Sequence, residues 1–283
     1  MNITQEFTDL ISVIEAAGEE ARAYFYSAVN PTTQKTDGSI VTAVDEAIEQ
    51  TLRAHIAKRF PHDTVVGEEG DTTIGTSGFV WYIDPIDGTD NFVRKIPFFA
   101  VTAARLGPTA EDSFAIIHNP ISQQTFASLM EAGTYEDKNL CTLTADSIGG
   151  KYFITVSANT RHNETLRQVR SALWGALYQR FGKAGSYHSA LLELAYVAAG
   201  RLDGALFVGM SPWDTAAGLY LVKAAGGAIS MFKSGQWNRV EQLPIQHLYG
   251  STFEAPATVF VSHPDIHEEV LDFVDDPLRW VNA

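Results

Sequence analysis

At 283 residues, the chain has the length of one large domain or two modest ones. Hydrophobic residues make up 45% and charged residues 19%, which excludes a disordered chain. With 20 Lys+Arg against 34 Asp+Glu, the net charge of −14 argues against non-specific nucleic-acid binding, whose affinity comes from cations neutralising phosphates.

Residues 4–28 carry Phe7, Leu10, Ile11, Ile14, Ala17 and Ala21 at helical spacing. Asn30-Pro31 stops that helix, because a residue before proline is pushed out of the helical region. Residues 34–41 predict two short extended pieces around the turn Asp37-Gly38, and 44–59 a second helix with Val44, Ile48, Leu52 and Ile56 four apart. Strands are expected at Thr64–Val66 and Phe79–Ile83, running into Gly67-Glu68-Glu69-Gly70 and Asp84-Pro85-Ile86-Asp87-Gly88-Thr89. From Phe98 to Met130 three apolar segments, parted by Gly107-Pro108 and Asn119-Pro120, read as β-structure. Beyond Gly149-Gly150, strands near 152–157, 203–208, 228–231 and 257–261 alternate with helices near 163–173, 189–199, 213–225 and 265–273. An α+β first half and an α/β second half follow, with a boundary near 145–151.

The single cysteine, Cys141, excludes an internal disulfide and a cysteine-built zinc site. The first residues lack the basic start and apolar run of a secretion signal. Glu193 and Lys223 interrupt the two stretches nearest to a membrane span. A soluble cytoplasmic protein without membrane contact is the expectation.

Chemistry concentrates in the segment after the second strand. Asp84 ends that strand and Asp87 follows three residues later, across a turn stiffened by Pro85. Such a turn can aim both carboxylates and the Ile86 carbonyl at one point, as a hard divalent cation requires. Gly88-Thr89 then opens a short helix, whose free N–H groups favour a phosphate. In isolation Asp87 or Thr89 could merely cap that helix; the strand, proline, glycine and threonine context favours the metal reading. The spacing does not suit an EF-hand loop, nor the haloacid-dehalogenase phosphatases, whose paired aspartates stand closer. Three further segments are weak alone: Gly67-Glu68-Glu69-Gly70, Lys35 to Asp45, and Ser211-Pro212-Trp213-Asp214 leading to Gly218.

Taken in order, Lys35…Asp45, Gly67-Glu68-Glu69, Asp84-Pro85-Ile86-Asp87-Gly88-Thr89 and Trp213-Asp214-x-Ala216-Ala217-Gly218 resemble the inositol monophosphatase family. The resemblance extends through residues 97–101, 195–204 and 225–227. It implies a layered α-β-α-β-α sandwich, commonly dimeric, hydrolysing phosphate monoesters with Mg²⁺ and often inhibited by Li⁺. Residues 1–148 would form an N-terminal α+β domain with the metal and phosphate site. Residues 149–283 would form a C-terminal α/β domain supplying Asp214 and the substrate side. By the same resemblance, Glu68, Asp84 and the Ile86 carbonyl hold a first Mg²⁺, and Asp84, Asp87 and Asp214 a second, with room for a third near Glu68. Glu68 and Thr89, the latter oriented by Asp45, position and activate the attacking water. The backbone of Gly88 and Thr89 binds the phosphate.

The substrate side is expected at Asp87, His188, Ser189, Ala190 and Phe207, and it departs from the family. Phe207 stands where inositol-cleaving relatives carry a glutamate, so an acceptor for polyol hydroxyls is missing. His188 stands where a glycine is usual and Leu191 where an alanine is, Ala224 replaces a glutamate, and Lys35 is one residue closer to Asp45 than in some members. The expected substrate is a small phosphorylated polyol, sugar or amino alcohol, with strict inositol specificity not expected. Partners beyond that metabolite are a second copy of the chain, and no nucleic acid. The alternative is a regulatory protein of the same fold that binds metal and phosphate without turnover.

Overall fold

The computed structural model describes residues 3–27, 32–34, 40–108, 112–129, 132–143, 151–158, 164–241, 246–250, 253–254 and 256–275. Lys35, the Asn30-Pro31 stop, the Asp37-Gly38 turn and Gly149-Gly150 lie outside them. Helix α1 (Ile3–Tyr26) buries Leu10, Ile14, Ala17, Ala21 and Phe25 on one stripe. The short strands β1 (Thr32–Gln34) and β2 (Ile40–Thr42) pair antiparallel and lead into α2 (Ala43–Arg59).

Among the described residues, a seven-stranded sheet follows in the order of the chain. Its strands are β3 (Thr64–Gly67), β4 (Val80–Asp87), β5 (Ala100–Leu106), β6 (Phe114–Asn119), β7 (Gln124–Leu129), β8 (Gly133–Glu136) and β9 (Asn139–Leu140). The five-residue helix α3 (Thr89–Val93) leaves the end of β4. Within this sheet, among the described residues, β3 and β4 run parallel and the other neighbours antiparallel.

A six-stranded sheet has the order β11-β10-β12-β15-β13-β14. Its members are β10 (Tyr152–Ala158), β11 (Gly182–Gly185), β12 (Gly204–Met210), β13 (Ala228–Lys233), β14 (Gln236–Arg239) and β15 (Ala257–Ser262). The helices of this half are α4 (Glu164–Phe181), α5 (Ala190–Ala198), α6 (Ala216–Ala224) and α7 (Pro264–Val274).

The layered arrangement is as expected, and the sheet of the second half is mixed: β10 is parallel to β11 and β12, but β15, β13 and β14 add antiparallel. Ser234 and Gly235, both at positive φ, close β13 on β14 as a two-residue hairpin, and β14 is too polar to show an apolar pattern. Helix α4 runs on to Phe181, because Val169, Leu173, Leu177 and Phe181 continue one buried stripe past residue 173.

Strand alternation sorts the buried side chains into three cores. On β4, Trp81 and Ile83 face α1 and α2, while Val80 and Tyr82 face α5 and α6. On β12, Ala205 and Phe207 face α5 and α6, while Leu206 and Val208 join α4 and α7. The molecule is therefore layered helix, sheet, helix, sheet, helix. Helix α5 is buried nearly all round, as a helix between two sheets must be. It approaches α6 so closely that a Cβ on Gly218 would lie 2.3 Å from that of Leu194. Among the described residues, no helix is long and apolar enough to cross a membrane.

Candidate metal centre

Strand β4 continues past Ile83, where the sequence pattern ends it, through to Asp87. The register against β5 slips: Asp84 pairs with Thr102 and Asp87 with Ala100, so Pro85 and Ile86 stand opposite Val101 alone. This bulge re-aims the strand's last side chains at the sheet end. The parallel pairing of Gly67 with Ile83 then sets Glu68, one residue beyond β3, beside Asp84. Asp214 arrives from the other half, in the turn between β12 and α6, where its Oδ2 accepts from the Ser211 N–H at 3.2 Å. One oxygen from each of Glu68, Asp84 and Asp214 lies within 4.8 Å of the others.

The electrostatics of this cluster are those of a cation site. Asp84 is wholly buried; its Oδ1 accepts from the Ile86 N–H at 3.0 Å, while Oδ2 has no hydrogen-bond partner. Burial, and then the charges of Glu68, Asp87, Asp214 and Asp45, push its carboxyl well above the usual range. Asp45 is pushed up to about 6, mainly by burial, and its Oδ1 is also buried without a partner. Oxygens this buried and this crowded are costly as bare anions, and a divalent cation would satisfy them.

Asp87 stands within electrostatic reach of Asp84 and Asp214, and both its oxygens accept hydrogen bonds at the N-terminus of α5. Oδ2 accepts from Ser189 Oγ at 2.5 Å and the Leu191 N–H at 2.9 Å, and Oδ1 from the Ala190 N–H at 3.1 Å. Burial raises its carboxyl to about 7 against those hydrogen bonds, with Asp214 adding to the rise.

The expected orientation of Thr89 by Asp45 is also corrected. Thr89 donates to the Ile86 carbonyl at 3.1 Å, and Asp45 Oδ2 accepts from the Thr42 N–H at 2.9 Å and from the Thr42 hydroxyl. Asp45 sits three residues into α2, where a carboxylate reaches back to the cap more readily than across to another element. Gly88 adopts φ +90°, and a Cβ there would press on the His188 carbonyl at 3.0 Å, so glycine is required at the start of α3.

On the substrate side, His188 is exposed and holds φ +58° without being glycine. Burial of part of its ring, and then the Arg170 charge, lower its imidazole below the ordinary histidine range. Ser189 and Ala190 are buried against Asp87. Phe207 is wholly buried in the central core, paired across the sheet with Val259. As a substrate contact it is corrected: the alternation of β12 turns its ring between the sheet and α5, leaving no surface for a ligand.

Several supporting residues escape a motif reading. Glu49 of α2 accepts from the Glu69 and Gly70 N–H groups, each at 2.8 Å, and pairs with Arg53 at 2.7 Å, fastening the loop that carries Glu68. A Cβ on Gly67 would lie 2.6 Å from Glu49 Oε1, so a side chain there would displace the carboxylate that fastens the loop. The four-residue spacing of Glu49 and Arg53 was a visible signal of the pair. Asn91 donates to the carbonyls of Phe98 and Tyr187, both at 2.7 Å, tying α3 to the segment before α5. Tyr249 contacts Thr215 Oγ at 3.0 Å, and that hydroxyl donates to the Ser211 carbonyl at 3.1 Å, bracing the turn of Asp214. No sequence signal points to Tyr249.

The model of the inositol monophosphatase family matches residues 4–272. The chain is 35% identical over 206 residues to Escherichia coli K12 "Nus factor SuhB", spanning 72% of this chain and 76% of that protein. It is 28% identical over 261 residues to Bacillus subtilis "Inositol-1-monophosphatase", spanning 92% of each. Among solved structures, Thermotoga maritima IMPase superposes with a TM-score of 0.79 at 22% identity, covering 98% of this chain and 100% of that one; at that identity the likeness speaks for the fold.

Proposed function

Since the chain belongs to the inositol monophosphatase family, we propose that it is a Mg²⁺-dependent phosphate monoester hydrolase acting on a small phosphorylated metabolite. The observation that carries this reading is the convergence of Glu68, Asp84 and Asp214 within 4.8 Å from two different sheets, with an unpartnered buried oxygen on Asp84. Bound there, two Mg²⁺ ions, with room for a third, would neutralise the phosphate dianion, acidify the attacking water and stabilise the leaving alkoxide.

The chain's own groups divide the remaining work. Glu68, Asp84 and Asp214 would supply oxygen ligands, joined by the Ile86 carbonyl and by Asp87, which α5 holds in place. Glu68 and Thr89 position the water, and Glu68 takes up its proton. The Gly88 and Thr89 backbone at the start of α3 faces the phosphate. Water attacks phosphorus directly and no aspartyl phosphate forms. Phe207 offers no acceptor for polyol hydroxyls, so phosphorylated sugars and amino alcohols are accepted alongside inositol phosphates, with His188, Ser189 and Ala190 at the substrate side. The working form is a homodimer, and Li⁺ inhibits.

A second reading is favoured by one observation: relatives at 35% identity carry the name Nus factor. In it, this chain keeps the fold and the metal and phosphate sites but serves as a regulatory protein without turnover. Hydrolysis of p-nitrophenyl phosphate, followed with added Mg²⁺ and again with chelator, separates the two. Metal-dependent phosphate release supports the hydrolase; equal blanks in both arms support the regulator. A panel of inositol phosphates, histidinol phosphate and fructose bisphosphate then ranks substrates, and light scattering reports the dimer.

A further inference from the structure

We infer that Glu193 is a positioning residue for the metal centre: from α5 it fixes the turn Ser186–Ser189, and that turn holds Asp87. The inference rests on the metal-centre reading above and adds to it a residue outside the motifs quoted from the sequence. Glu193 is wholly buried in a helix otherwise apolar around it, and no cation pairs with it among the described residues. A buried carboxylate in that state is costly unless hydrogen bonds satisfy it. Its Oε1 accepts from the Tyr187 N–H at 2.6 Å and its Oε2 from Ser157 Oγ at 3.4 Å. Ser157 Oγ in turn lies 3.1 Å from Ser186 Oγ.

The opposite side of the same peptide is held as well. Asn91 Nδ2 donates to the Tyr187 carbonyl at 2.7 Å, so Tyr187 is gripped by α5 through its N–H and by α3 through its C=O. The next residue, His188, sits at φ +58°, a conformation costing a non-glycine residue about 1 kcal/mol or more. Such a turn persists only where its neighbours over-determine it. Ser189 follows at once, with its hydroxyl on Asp87 Oδ2. Glu193 therefore acts on Asp87 through three consecutive residues, and Asp87 shares its bulge with Asp84.

The test uses the full-length chain and Mn²⁺ as a paramagnetic probe, titrated without substrate, alongside thermal unfolding. Glu193→Ala is expected to weaken Mn²⁺ binding about tenfold, as losses behind a ligand commonly do. Glu193→Gln keeps a carbonyl acceptor for the Tyr187 N–H and is expected to bind Mn²⁺ close to the parent. A folded Glu193→Ala chain with unchanged affinity overturns the inference, and so does Glu193→Gln as weak as Glu193→Ala, since charge rather than position would then matter. If Glu193→Ala does not fold, Glu193→Asp, shorter by one methylene, takes its place: affinity below that of Glu193→Gln supports the inference, and affinity equal to it overturns it. A parent chain that binds Mn²⁺ yet releases no phosphate would defeat the hydrolase reading while leaving these affinity comparisons intact.

Discussion

Asp84 shows how far one side chain can be read as chemistry. Its Oδ2 is buried without a partner and four neighbouring carboxylates oppose its charge, so the metal-free fold carries an electrostatic cost that a cation removes. Asp84→Asn should therefore raise the melting temperature of the chelator-treated protein and abolish the further rise on adding Mg²⁺; each kcal/mol relieved is worth roughly 2–4 °C for a chain of this size or somewhat smaller. The same reasoning fixes a pH dependence. Asp45 at about 6, Asp87 at about 7 and Asp84 well above its ordinary value all bind protons more tightly folded than unfolded. The contributions of Asp45 and Asp87 are complete below about pH 4 and are lost as pH rises through about 6 and about 7, and that of Asp84 falls in the same direction as its proton is given up. The rise in melting temperature caused by Mg²⁺ should accordingly be larger at pH 8 than at pH 5, and a pH-independent rise would contradict this account. Phe207 marks the opposite case. Because its ring is part of the central core, Phe207→Glu would bury an unpaired carboxylate. A lower melting temperature is expected rather than faster inositol phosphate turnover, at a cost of about 3–5 kcal/mol.

At the scale of elements, the site is made by ends meeting ends. Strand β3 ends beside β4, β4 ends in a bulge, and α5 and α6 both begin at the cluster. The loop after β3 would be poorly fixed on its own, and α2 supplies the fastening through Glu49. Glu49→Ala removes an acceptor shared by two N–H groups and the partner of Arg53. A loss of roughly 2–4 kcal/mol in urea unfolding is expected, together with weaker Mg²⁺ activation because Glu68 is no longer held. Unchanged Mg²⁺ dependence would show that the loop is rigid without α2. Lys95, just after α3, offers a parallel: its ammonium donates to the Tyr24, Phe25 and Ser27 carbonyls, anchoring that segment to the end of α1.

For the whole molecule, the central core decides the behaviour. One continuous cluster contains Val80 and Tyr82 of the first sheet, Ala205 and Val261 of the second, and most of α5 and α6 between them. Neither sheet could keep its inner face covered if the other unfolded. The chain is therefore expected to unfold in one transition, with coincident curves from far-ultraviolet circular dichroism and tryptophan fluorescence. Two resolved transitions would mean that the halves divided near residue 148 are independently stable.

The sequence by itself determined what is local. The stripes of α1 and α2, the strands leading to Glu68 and Asp84, and the Asp84–Thr89 segment were legible because periodicity and the fixed geometry of proline and glycine act over a few residues. The order Glu68, Asp84, Asp214 also pointed to one centre, though only through resemblance. What the tertiary structure alone decided is which hydrogen bonds the carboxylates keep. Asp87 turns to residues more than a hundred positions away, Asp45 to its own helix cap, and Phe207 into a core formed by two sheets. The strands β11 and β14 likewise lacked an apolar signature and exist because neighbouring strands offer them partners. A buried acceptor is satisfied by whichever donor packing brings within about 3 Å, and that distance is set by the layers as a whole.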